Sequence, residues 1–210
     1  GTLVVEKRRF RLFDEAVRPV IEGESAYLAI KKMRLVIEDR DRLCGLELYA
    51  DPTLMRIVFS NLITNAIKYG FEGGIITIGH AESSGGHRFH VRNEGYGIPR
   101  DKRDAIFEKF VRLDMKELGR QVGTGLGLYN TRQIVEKHGG SIWAESDEGK
   151  WADFFFTLPA DDQPAAAPVE QPRSGRAEHH ADHRHRQHAD VRRHEPYQSY
   201  IFLHSMAYGI

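Results

Sequence analysis

Residues 61–70, Asn-Leu-Ile-Thr-Asn-Ala-Ile-Lys-Tyr-Gly, predict a helix with one polar stripe on a mostly apolar surface. At about 100° per residue, Asn61, Asn65 and Lys68 share this stripe, and Tyr69 lies beside it. Polar groups set among apolar side chains cost free energy unless a partner satisfies them. Loop backbone usually satisfies a single Asn. Two carboxamides beside an ammonium group instead indicate a site for a metal ion together with phosphates.

The remainder of this helix predicts burial against a hydrophobic core. Asp51 and Pro52 are typical of an N-cap followed by a first-turn proline, and Gly70 is expected to end the helix. A second, smaller polar stripe of Arg56, Ser60 and Thr64 is expected to face solvent. The apolar positions are Met55, Phe59, Leu62, Ile63, Ala66 and Ile67.

The order of the predicted elements indicates an α+β fold. Helices and strands are mixed without regular alternation, and two predicted hairpins occupy residues 75–93 and 141–158. We therefore expect a two-layer α/β sandwich, in which one mixed, mostly antiparallel sheet carries helices on one face. The domain is expected to span residues 8–159. About 150 residues bury roughly 68–70% of their unfolded surface, which is enough for an independent core.

Other short elements are expected before the polar helix. Residues 9–13 alternate as in a strand, and Asp14 is expected to be the N-cap of a helix that follows. Residues 33–38 and 46–49 predict two more strands, and residues 39–42 between them are expected to form a charged turn.

Both ends of the chain differ in character from this domain. Residues 1–7 are expected to be a linker from a dimerisation hairpin that this fragment lacks. Residues 160–210 begin with a Pro/Ala-rich linker and continue into a His/Arg-rich tail that we expect to be disordered or non-native. A metal site among the tail histidines is the alternative, but their spacing matches no closed zinc site with cysteine partners.

Charge and cysteine content restrict the function further. The chain carries 30 Lys and Arg against 30 Asp and Glu, which argues against nucleic acid as a partner. The single cysteine, Cys44, cannot form an internal disulfide, so a reducing compartment is expected. No apolar run approaches the roughly 20 residues of a membrane span. We expect a cytoplasmic domain, whether or not its parent protein is membrane-associated.

A glycine run at Gly123, Gly125 and Gly127 precedes a helix predicted to reach His138. Glycines at a helix N-terminus suit phosphates, because backbone N–H groups approach closely and the helix dipole favours anions. The run is not a P-loop, since no Lys-Ser/Thr follows it. It is not a dinucleotide fingerprint either, since no strand leads directly into it.

Four motifs now stand in order along the chain. They are Asn61-Leu-Ile-Thr-Asn-Ala-Ile-Lys-Tyr69, Asn93-Glu-Gly-Tyr-Gly-Ile-Pro99, Ile106-Phe-Glu-Lys-Phe110 and Gly123-Thr-Gly-Leu-Gly-Leu128. Together they resemble the N box, first glycine box, F box and second glycine box of the ATP-binding domain of sensor histidine kinases. The resemblance covers about residues 8–158. It implies a Bergerat-type sandwich of the GHKL superfamily, ATP and Mg²⁺ as cofactors, and phosphoryl transfer to a histidine.

The resemblance also assigns roles to individual residues. Asn65 would bind Mg²⁺, and Asn61 would lie beside it at the phosphates. Lys68 would contact a phosphate, and Tyr69 would flank the nucleotide. Arg112 would be catalytic, because it resembles a lid arginine that contacts the phosphates, and phosphoryl transfer depends on positioning and electrostatic stabilisation.

The other three motifs supply the remaining nucleotide contacts. The two glycines of the first box would let the backbone approach the adenine, the two phenylalanines of the F box would anchor a lid over ATP, and the second glycine box would close over the phosphates. These expected cofactor-binding residues are Asn93, Gly95, Gly97, Ile98, Phe107, Phe110, Gly123, Thr124, Gly125, Leu126, Gly127 and Leu128.

Asn93 departs from the family pattern, which usually has an Asp that accepts a hydrogen bond from the adenine amino group. A hydrogen bond to a charged group is worth about 1.5–3 kcal/mol, against about 0.5–1.5 for a neutral pair. The affinity for ATP is therefore expected to be about 1 kcal/mol weaker, roughly five- to tenfold. A turned amide would also donate to guanine, so discrimination against GTP is expected to soften.

The chain also lacks the phosphoacceptor motif of the family, a His followed by an acidic residue and then Thr/Arg-Pro. The fragment is therefore expected to bind nucleotide without phosphorylating itself. Its expected partners are the phosphoacceptor dimerisation domain of the parent kinase and, through the parent, a response regulator. Since family members dimerise through the missing hairpin, the isolated fragment is expected to be a monomer.

Three alternatives differ in function. Related ATPases of this fold place a Glu general base four residues before the key Asn, and here that position is Asn61, which disfavours hydrolysis. A degenerate nucleotide-binding or docking module without kinase activity stays open because of Asn93. Anti-sigma serine kinases share the fold but usually lack a long lid.

Overall fold

The computed structural model describes residues 3–83, 85–113 and 124–160. Within these ranges, the strands are β1 (Arg8–Arg11), β2 (Arg34–Ile37), β3 (Glu47–Ala50), β4 (Ile75–Ser83), β5 (Gly86–Glu94), β6 (Ile142–Asp147) and β7 (Trp151–Pro159). The helices are α1 (Arg18–Gly23), α2 (Ser25–Ile30), α3 (Arg40–Gly45), α4 (Pro52–Tyr69) and α5 (Gly127–Lys137). A π-helical turn at Phe13–Val17 precedes α1, and single 3₁₀ turns cover Arg100–Lys102 and Ala105–Phe107.

Five strands form one sheet in the order β2-β4-β5-β7-β6. Strand β2 runs parallel to β4, and every other pair in this sheet is antiparallel. The expected mixed, mostly antiparallel sheet is confirmed. The expectation of a single sheet is wrong, because β1 and β3 pair with each other in a separate two-stranded sheet, with Phe10 opposite Leu48.

The main core lies between α4 and the inner face of the five-stranded sheet. Phe59 of α4 is fully buried, and its ring meets Phe89 of β5 and Phe156 of β7 edge-on, with centroid separations of 6.2 and 5.6 Å. Aromatic pairs prefer this geometry to face-to-face stacking. Every apolar residue expected on α4 is buried, so the predicted orientation of the helix is confirmed.

Asp51 begins α4 as predicted. One carboxylate oxygen accepts hydrogen bonds from the N–H groups of Thr53 and Leu54 at 3.0 and 3.1 Å, and the other accepts from Glu6 N–H at 2.9 Å. The Asp51 N–H donates to Nε2 of His138, which ends α5. Glu6 belongs to the segment expected to be a linker, so the domain boundary at residue 8 stays a prediction.

Lys31 holds the other end of α4. Its ammonium group donates to the carbonyl oxygens of Ile67, Lys68 and Gly70 at 2.8–3.1 Å. These carbonyls belong to the last turn, where an α-helix has no internal donors left. Burial lowers the pKa of Lys31. The C-terminal end of α4 is therefore tied to the loop between α2 and β2.

Several short elements differ from their predictions. Asp14 lies within the π-helical turn and is not an N-cap, and the charged turn at 39–42 is mostly the start of α3, with the Asp39 side chain accepting from Arg42 N–H. Helix α2 was not predicted, because Leu28 is its one buried residue and no apolar period marks it. The proposed tail, apart from residue 160, lies outside the described residues.

None of the described helices combines the length and the apolar character needed to cross a membrane.

Replacing Lys31 with Met should destabilise the protein, because three helix carbonyls lose a charged donor. We expect the free energy of unfolding to fall by about 1 kcal/mol, the size of a typical net hydrogen-bond contribution. Urea denaturation measures this change. Lys32→Met is the matched control, since Lys32 is exposed and pairs with Glu72 at the surface. Equal stability of the two variants would contradict the proposed role of Lys31.

Asp51 predicts a pH-dependent stability. Burial alone would raise the pKa of Asp51, but the N–H groups of Glu6, Leu54 and Thr53 outweigh burial and hold it below the ordinary 3.8. Asp51→Ala should lower the free energy of unfolding by about 1–2 kcal/mol at pH 7, as expected for loss of an N-cap.

Because the folded-state pKa is depressed, this contribution is present above the unfolded-state pKa and disappears as pH falls through the folded-state value. The gap between wild type and Asp51→Ala, measured by urea denaturation from pH 7 downward, should therefore narrow below about pH 3.8. The exposed Asp101→Ala serves as the control. A gap that stays constant down to pH 3 would mean that the carboxylate charge contributes nothing.

Candidate functional site

A cavity of about 300 Å³ opens beside the C-terminal half of α4. It lies between this helix, the ends of β5 and β7, and the beginning of α5. Its wall combines polar groups from the helices with an apolar floor from the sheet and the loop that follows β5. The lining residues are Thr64, Asn65, Lys68, Tyr69, Asn93, Gly97, Ile98, Ile106, Val111, Arg112, Leu113, Thr124, Gly125, Gly127, Leu128, Ala152 and Phe154.

Part of the polar stripe of α4 lines this cavity, and the rest contacts other parts of the protein. Asn65, Lys68 and Tyr69 line the cavity. The Lys68 ammonium group lies 5.0 Å from the centroid of the Tyr69 ring, a cation–π distance. Thr64 also lines the cavity, so its assignment to the solvent-facing stripe is wrong: that side of the helix turns toward the site one turn before Lys68.

Asn61 does not line the cavity. Its amide nitrogen donates to the carbonyl oxygen of Gly127 and to Oγ1 of Thr131, both at 3.1 Å, and Thr131 in turn donates to the same carbonyl at 2.9 Å. Asn61 thus joins α4 to the first turn of α5. This is the backbone-satisfied role that a single Asn usually has, and contact with phosphates stays a prediction for this residue.

Asn93 is the polar side chain that the sheet contributes to the cavity. It sits on the inner face of β5 between Ile76 of β4 and Ala152 of β7, and only 1% of its surface is exposed. The amide nitrogen is buried without a hydrogen-bond partner among the described residues. A buried, unpaired donor costs about 1–3 kcal/mol, so this group is suited to a ligand atom that accepts.

The glycines of the first glycine box allow close contacts between backbone segments of the protein. A Cβ at Gly95 would overlap the carbonyl oxygen of Tyr69, because the Gly70–Gly95 bridge packs the end of α4 against the end of β5. Gly97 has φ +69° and packs against the backbone at Asp147. Gly97 lines the cavity and Gly95 does not, and the approach of adenine to these two glycines stays a prediction.

Ser146 positions the loop that carries Ile98, a role that the sequence analysis did not predict. The Ile98 N–H donates to Oγ of Ser146 at 2.8 Å, and that hydroxyl donates to the carbonyl oxygen of Trp151 at 2.6 Å. Arg103 donates to the Ser146 carbonyl oxygen at 2.5 Å. A buried serine on the inner face of β6 was the available signal.

The two phenylalanines of the F box have different environments. Phe107 is buried and meets Phe154 of β7 edge-on at 6.4 Å. Phe110 is 71% exposed and has φ +65°, and its N–H donates to the carbonyl oxygen of Gly125 at 3.0 Å. The expected anchoring by side chains therefore fails for Phe110, because its attachment runs through the backbone. Neither residue lines the cavity.

The F box is also fastened to α5 by charge. The Lys109 ammonium group lies 4.8 Å from the centroid of the Tyr129 ring, and Glu108 approaches Arg132 at 3.9 Å. These contacts lie outside the cavity and hold the described start of the expected lid against the helix.

The second glycine box lies at the N-terminus of α5. Thr124, Gly125, Gly127 and Leu128 line the cavity, whereas Leu126 precedes the first helical residue and does not. Gly123 lies outside the described residues. Since the first turn of a helix leaves N–H groups without internal partners, this end of the cavity is suited to anionic oxygens.

The charges of the lining indicate what the cavity can hold. Lys68 and Arg112 are cations, and the described lining contains no carboxylate. The floor is apolar, with Ile98, Ile106 and Phe154. A ligand with an anionic part and a flat apolar part matches this distribution, and a nucleotide has both.

The donor set also fits a magnesium ion held jointly with a ligand. The described ranges contain no group of three or more His, Cys, Asp or Glu side chains able to hold a metal by themselves. Mg²⁺ commonly takes one or two protein oxygens together with substrate phosphates. The carboxamide oxygen of Asn65 can supply such a protein ligand on the wall that also carries Lys68.

Comparison with known proteins agrees with this site. A family model described as histidine kinase-, DNA gyrase B- and HSP90-like ATPase matches residues 50–162. The sensor protein kinase WalK of Staphylococcus saprophyticus is 41% identical over 113 residues, which are 53% of this chain and 18% of that protein. The sensor histidine kinase WalK of Bacillus subtilis is 42% identical over 104 residues, 49% of this chain and 17% of that protein. The matches thus span about a fifth of these relatives.

Solved structures give the same result. The nucleotide-free catalytic domain of histidine kinase ThkA is 31% identical with a TM-score of 0.62, over 73% of this chain and 95% of that domain. Full-length ShkA in complex with AMPPNP is 26% identical with a TM-score of 0.64, over 76% and 32% of the two chains. ThkA in complex with the response regulator TrrA is 29% identical with a TM-score of 0.60, over 74% and 42%.

The chain therefore belongs to the family of histidine kinase-, DNA gyrase B- and HSP90-like ATPases, and its fold is the ATP-binding fold of that family. Within the family it belongs with the catalytic domains of histidine kinases, as the match over nearly the whole ThkA domain shows. The expected α+β sandwich is confirmed. Nothing in the described residues favours a degenerate module, since the cavity keeps Asn65, Lys68 and Arg112.

The contacts of Asn61 predict that its loss affects stability first. Asn61→Ala removes two hydrogen bonds between α4 and α5, so the free energy of unfolding should fall by about 1–2 kcal/mol. Denaturant unfolding measures the loss. Asn130→Ala, on the exposed side of α5, should change stability by less than about 0.5 kcal/mol. Unchanged stability of Asn61→Ala with loss of ATP binding would identify Asn61 as a ligand contact instead.

Proposed function

We propose that this chain is the ATP-binding catalytic domain of a two-component sensor histidine kinase, which transfers the γ-phosphoryl group of ATP to a histidine on a separate dimerisation hairpin. The observation that carries the proposal is that Asn65, Lys68 and Arg112 line one cavity together with the N-terminus of α5. These groups provide a metal ligand, two cations and backbone N–H donors for a triphosphate.

In this proposal Asn65 holds Mg²⁺ through its carboxamide oxygen. A magnesium ion held there would supply electrostatic stabilisation of the charge that develops on the phosphates. Lys68, one turn further along α4, attracts a phosphate to the same side of the cavity. The nucleotide ring occupies the apolar end, where Ile98 and Phe154 exclude water from the base.

Arg112 is the proposed catalytic residue. Arg112 lines the same cavity as Lys68, and it falls within the expected lid, about residues 100–122. In phosphoryl transfer the protein acts mainly by positioning and electrostatic stabilisation, and a bidentate guanidinium group suits the equatorial phosphate oxygens. Arg112 would therefore stabilise the transferring group while the acceptor histidine attacks.

The absence of a carboxylate from the described lining supports transfer to a nucleophile supplied by a partner. A water molecule needs a general base to attack efficiently. Asn61, at the helical position where hydrolytic relatives carry a Glu base, is engaged with Gly127 and Thr131. The proposed acceptor is consequently the imidazole of another domain, which is itself a nucleophile near neutral pH.

The partners and location follow from this activity. We infer a phosphoacceptor dimerisation domain in the parent kinase, and a response regulator reached through the parent, as in the ThkA complex with TrrA. We further propose that the isolated fragment is a monomer and that the domain lies in the cytoplasm, where ATP is available.

The test combines this chain with a separately produced dimerisation domain of the same parent kinase, ATP labelled at the γ-phosphate, and Mg²⁺. We expect an acid-labile label on a histidine of the added domain and none on this chain alone. Asn65→Ala should reduce labelling by at least about a hundredfold, since loss of one transition-state contact costs about 3 kcal/mol.

Asn130→Ala is the control for this measurement, because it removes a carboxamide from an exposed position outside the cavity. Chelation of magnesium should abolish labelling in every variant. ATP binding without any label on the hairpin would contradict the kinase proposal and favour a binding module.

A further inference from the structure

Asn93 carries a hydrogen-bond donor that no described residue pairs. The side chain is 1% exposed and lines the cavity, and no described residue accepts a hydrogen bond from its buried amide nitrogen. Buried donors in folded proteins are nearly always paired, so an unpaired one on a side chain that lines a cavity is suited to a ligand atom that accepts.

The side chains beside Asn93 in the sheet are apolar, so its carboxamide is the side-chain group that can hydrogen-bond a ligand there. Its neighbours across the sheet are Ile76 on β4 and Ala152 on β7, both apolar. The other lining side chains from the sheet and from the loop after β5 are Ala152, Phe154 and Ile98. None of these can donate or accept a hydrogen bond, so the carboxamide sets the polarity of this end of the cavity.

A carboxamide offers one donor and one acceptor side by side, and rotation about its last torsion exchanges them. In Asn93 this rotation breaks no hydrogen bond between Nδ2 and a described residue. A carboxylate at the same place would offer acceptors alone. The distinction matters for purines, which differ in the hydrogen-bonding sense of their 6-substituent.

Adenine carries a 6-amino donor beside ring-nitrogen acceptors, whereas guanine and hypoxanthine carry a 6-oxo acceptor. The carboxamide can accept from the amino group of adenine and donate to the ring nitrogen next to it. After rotation, it can donate to the 6-oxo group and accept from the N1–H group of guanine or hypoxanthine. Both arrangements satisfy the buried amide nitrogen.

We propose that Asn93 makes this cavity a site for 6-oxopurine nucleotides as well as adenine nucleotides. This inference rests on the proposed nucleotide-binding function and specifies the base that the site accepts. An acceptor-only residue would discriminate against the 6-oxo group, because two acceptors would face each other in a buried place. Asn93 removes that discrimination.

The experiment measures the dissociation constants of ATP, ITP and GTP, each with Mg²⁺, by isothermal titration calorimetry at pH 7.5. ITP isolates the 6-oxo group, since hypoxanthine lacks the 2-amino group of guanine. For the wild-type chain we expect the ITP and ATP dissociation constants to lie within about tenfold of each other, because each base makes two neutral hydrogen bonds.

Asn93→Asp should bind ATP about five- to tenfold more tightly and ITP about tenfold or more weakly, so the ratio of the two constants should widen by about fiftyfold or more. Asn130→Asp is the matched control. It makes the same amide-to-carboxylate change at an exposed position on α5, so it should alter all nucleotides by a similar factor and leave the ratio unchanged.

A third probe keeps the test independent of any variant. Purine riboside triphosphate has no 6-substituent, so the wild-type chain should bind it more weakly than it binds either ATP or ITP. If instead ATP alone gains over this probe, the inference is wrong.

The outcomes separate the inference from the function on which it rests. Wild-type protein that binds ATP but discriminates against ITP by a hundredfold or more would overturn the dual recognition and leave the kinase proposal intact. An unchanged ratio in a folded Asn93→Asp protein would also overturn it. Failure to bind any of the nucleotides would overturn both proposals.

Discussion

The burial of α4 against β5 and β7 is the constraint on which the site depends. Phe59 fixes the rotation of the helix by packing edge-on against Phe89 and Phe156. Asp51 holds one end of the helix and Lys31 the other. Because the rotation and both ends of α4 are fixed, the directions of the polar side chains in its last turns are fixed as well. Core packing therefore determines the position of the cavity wall that α4 provides.

Three asparagine side chains have different roles in this structure. Asn61 bonds the backbone of a neighbouring helix and joins α4 to α5, whereas Asn65 lines the cavity. Asn93 lines the cavity from the sheet, with a buried donor that no described residue pairs. Their sequence context is similar, but the element that packs opposite each one differs. The chemistry of a residue is thus decided by its partner surface, which the residue type alone does not specify.

The sequence predicted α4, the β4–β5 hairpin and the position of Asn93 well, because each follows a strong apolar period with clear caps or turns. It predicted less where burial is slight, as in α2, whose one buried side chain is Leu28. It could not predict the partner of Asn61, which lies 66 residues away and depends on the docking of α5. Ser146 was missed for the same reason, since Ile98, which donates to its hydroxyl, lies 48 residues away in the loop after β5.

The joint formed by Asn61 bears on how this domain could change over evolution. A Glu at position 61 could not donate to the Gly127 carbonyl oxygen as the Asn61 amide does, so a water-activating base there would cost the hydrogen bonds that Asn61 makes between α4 and α5. The substitution that supplies a base for ATP hydrolysis would thus also lower the stability of the fold. Under the proposed function, selection for stability would therefore also act against ATP hydrolysis.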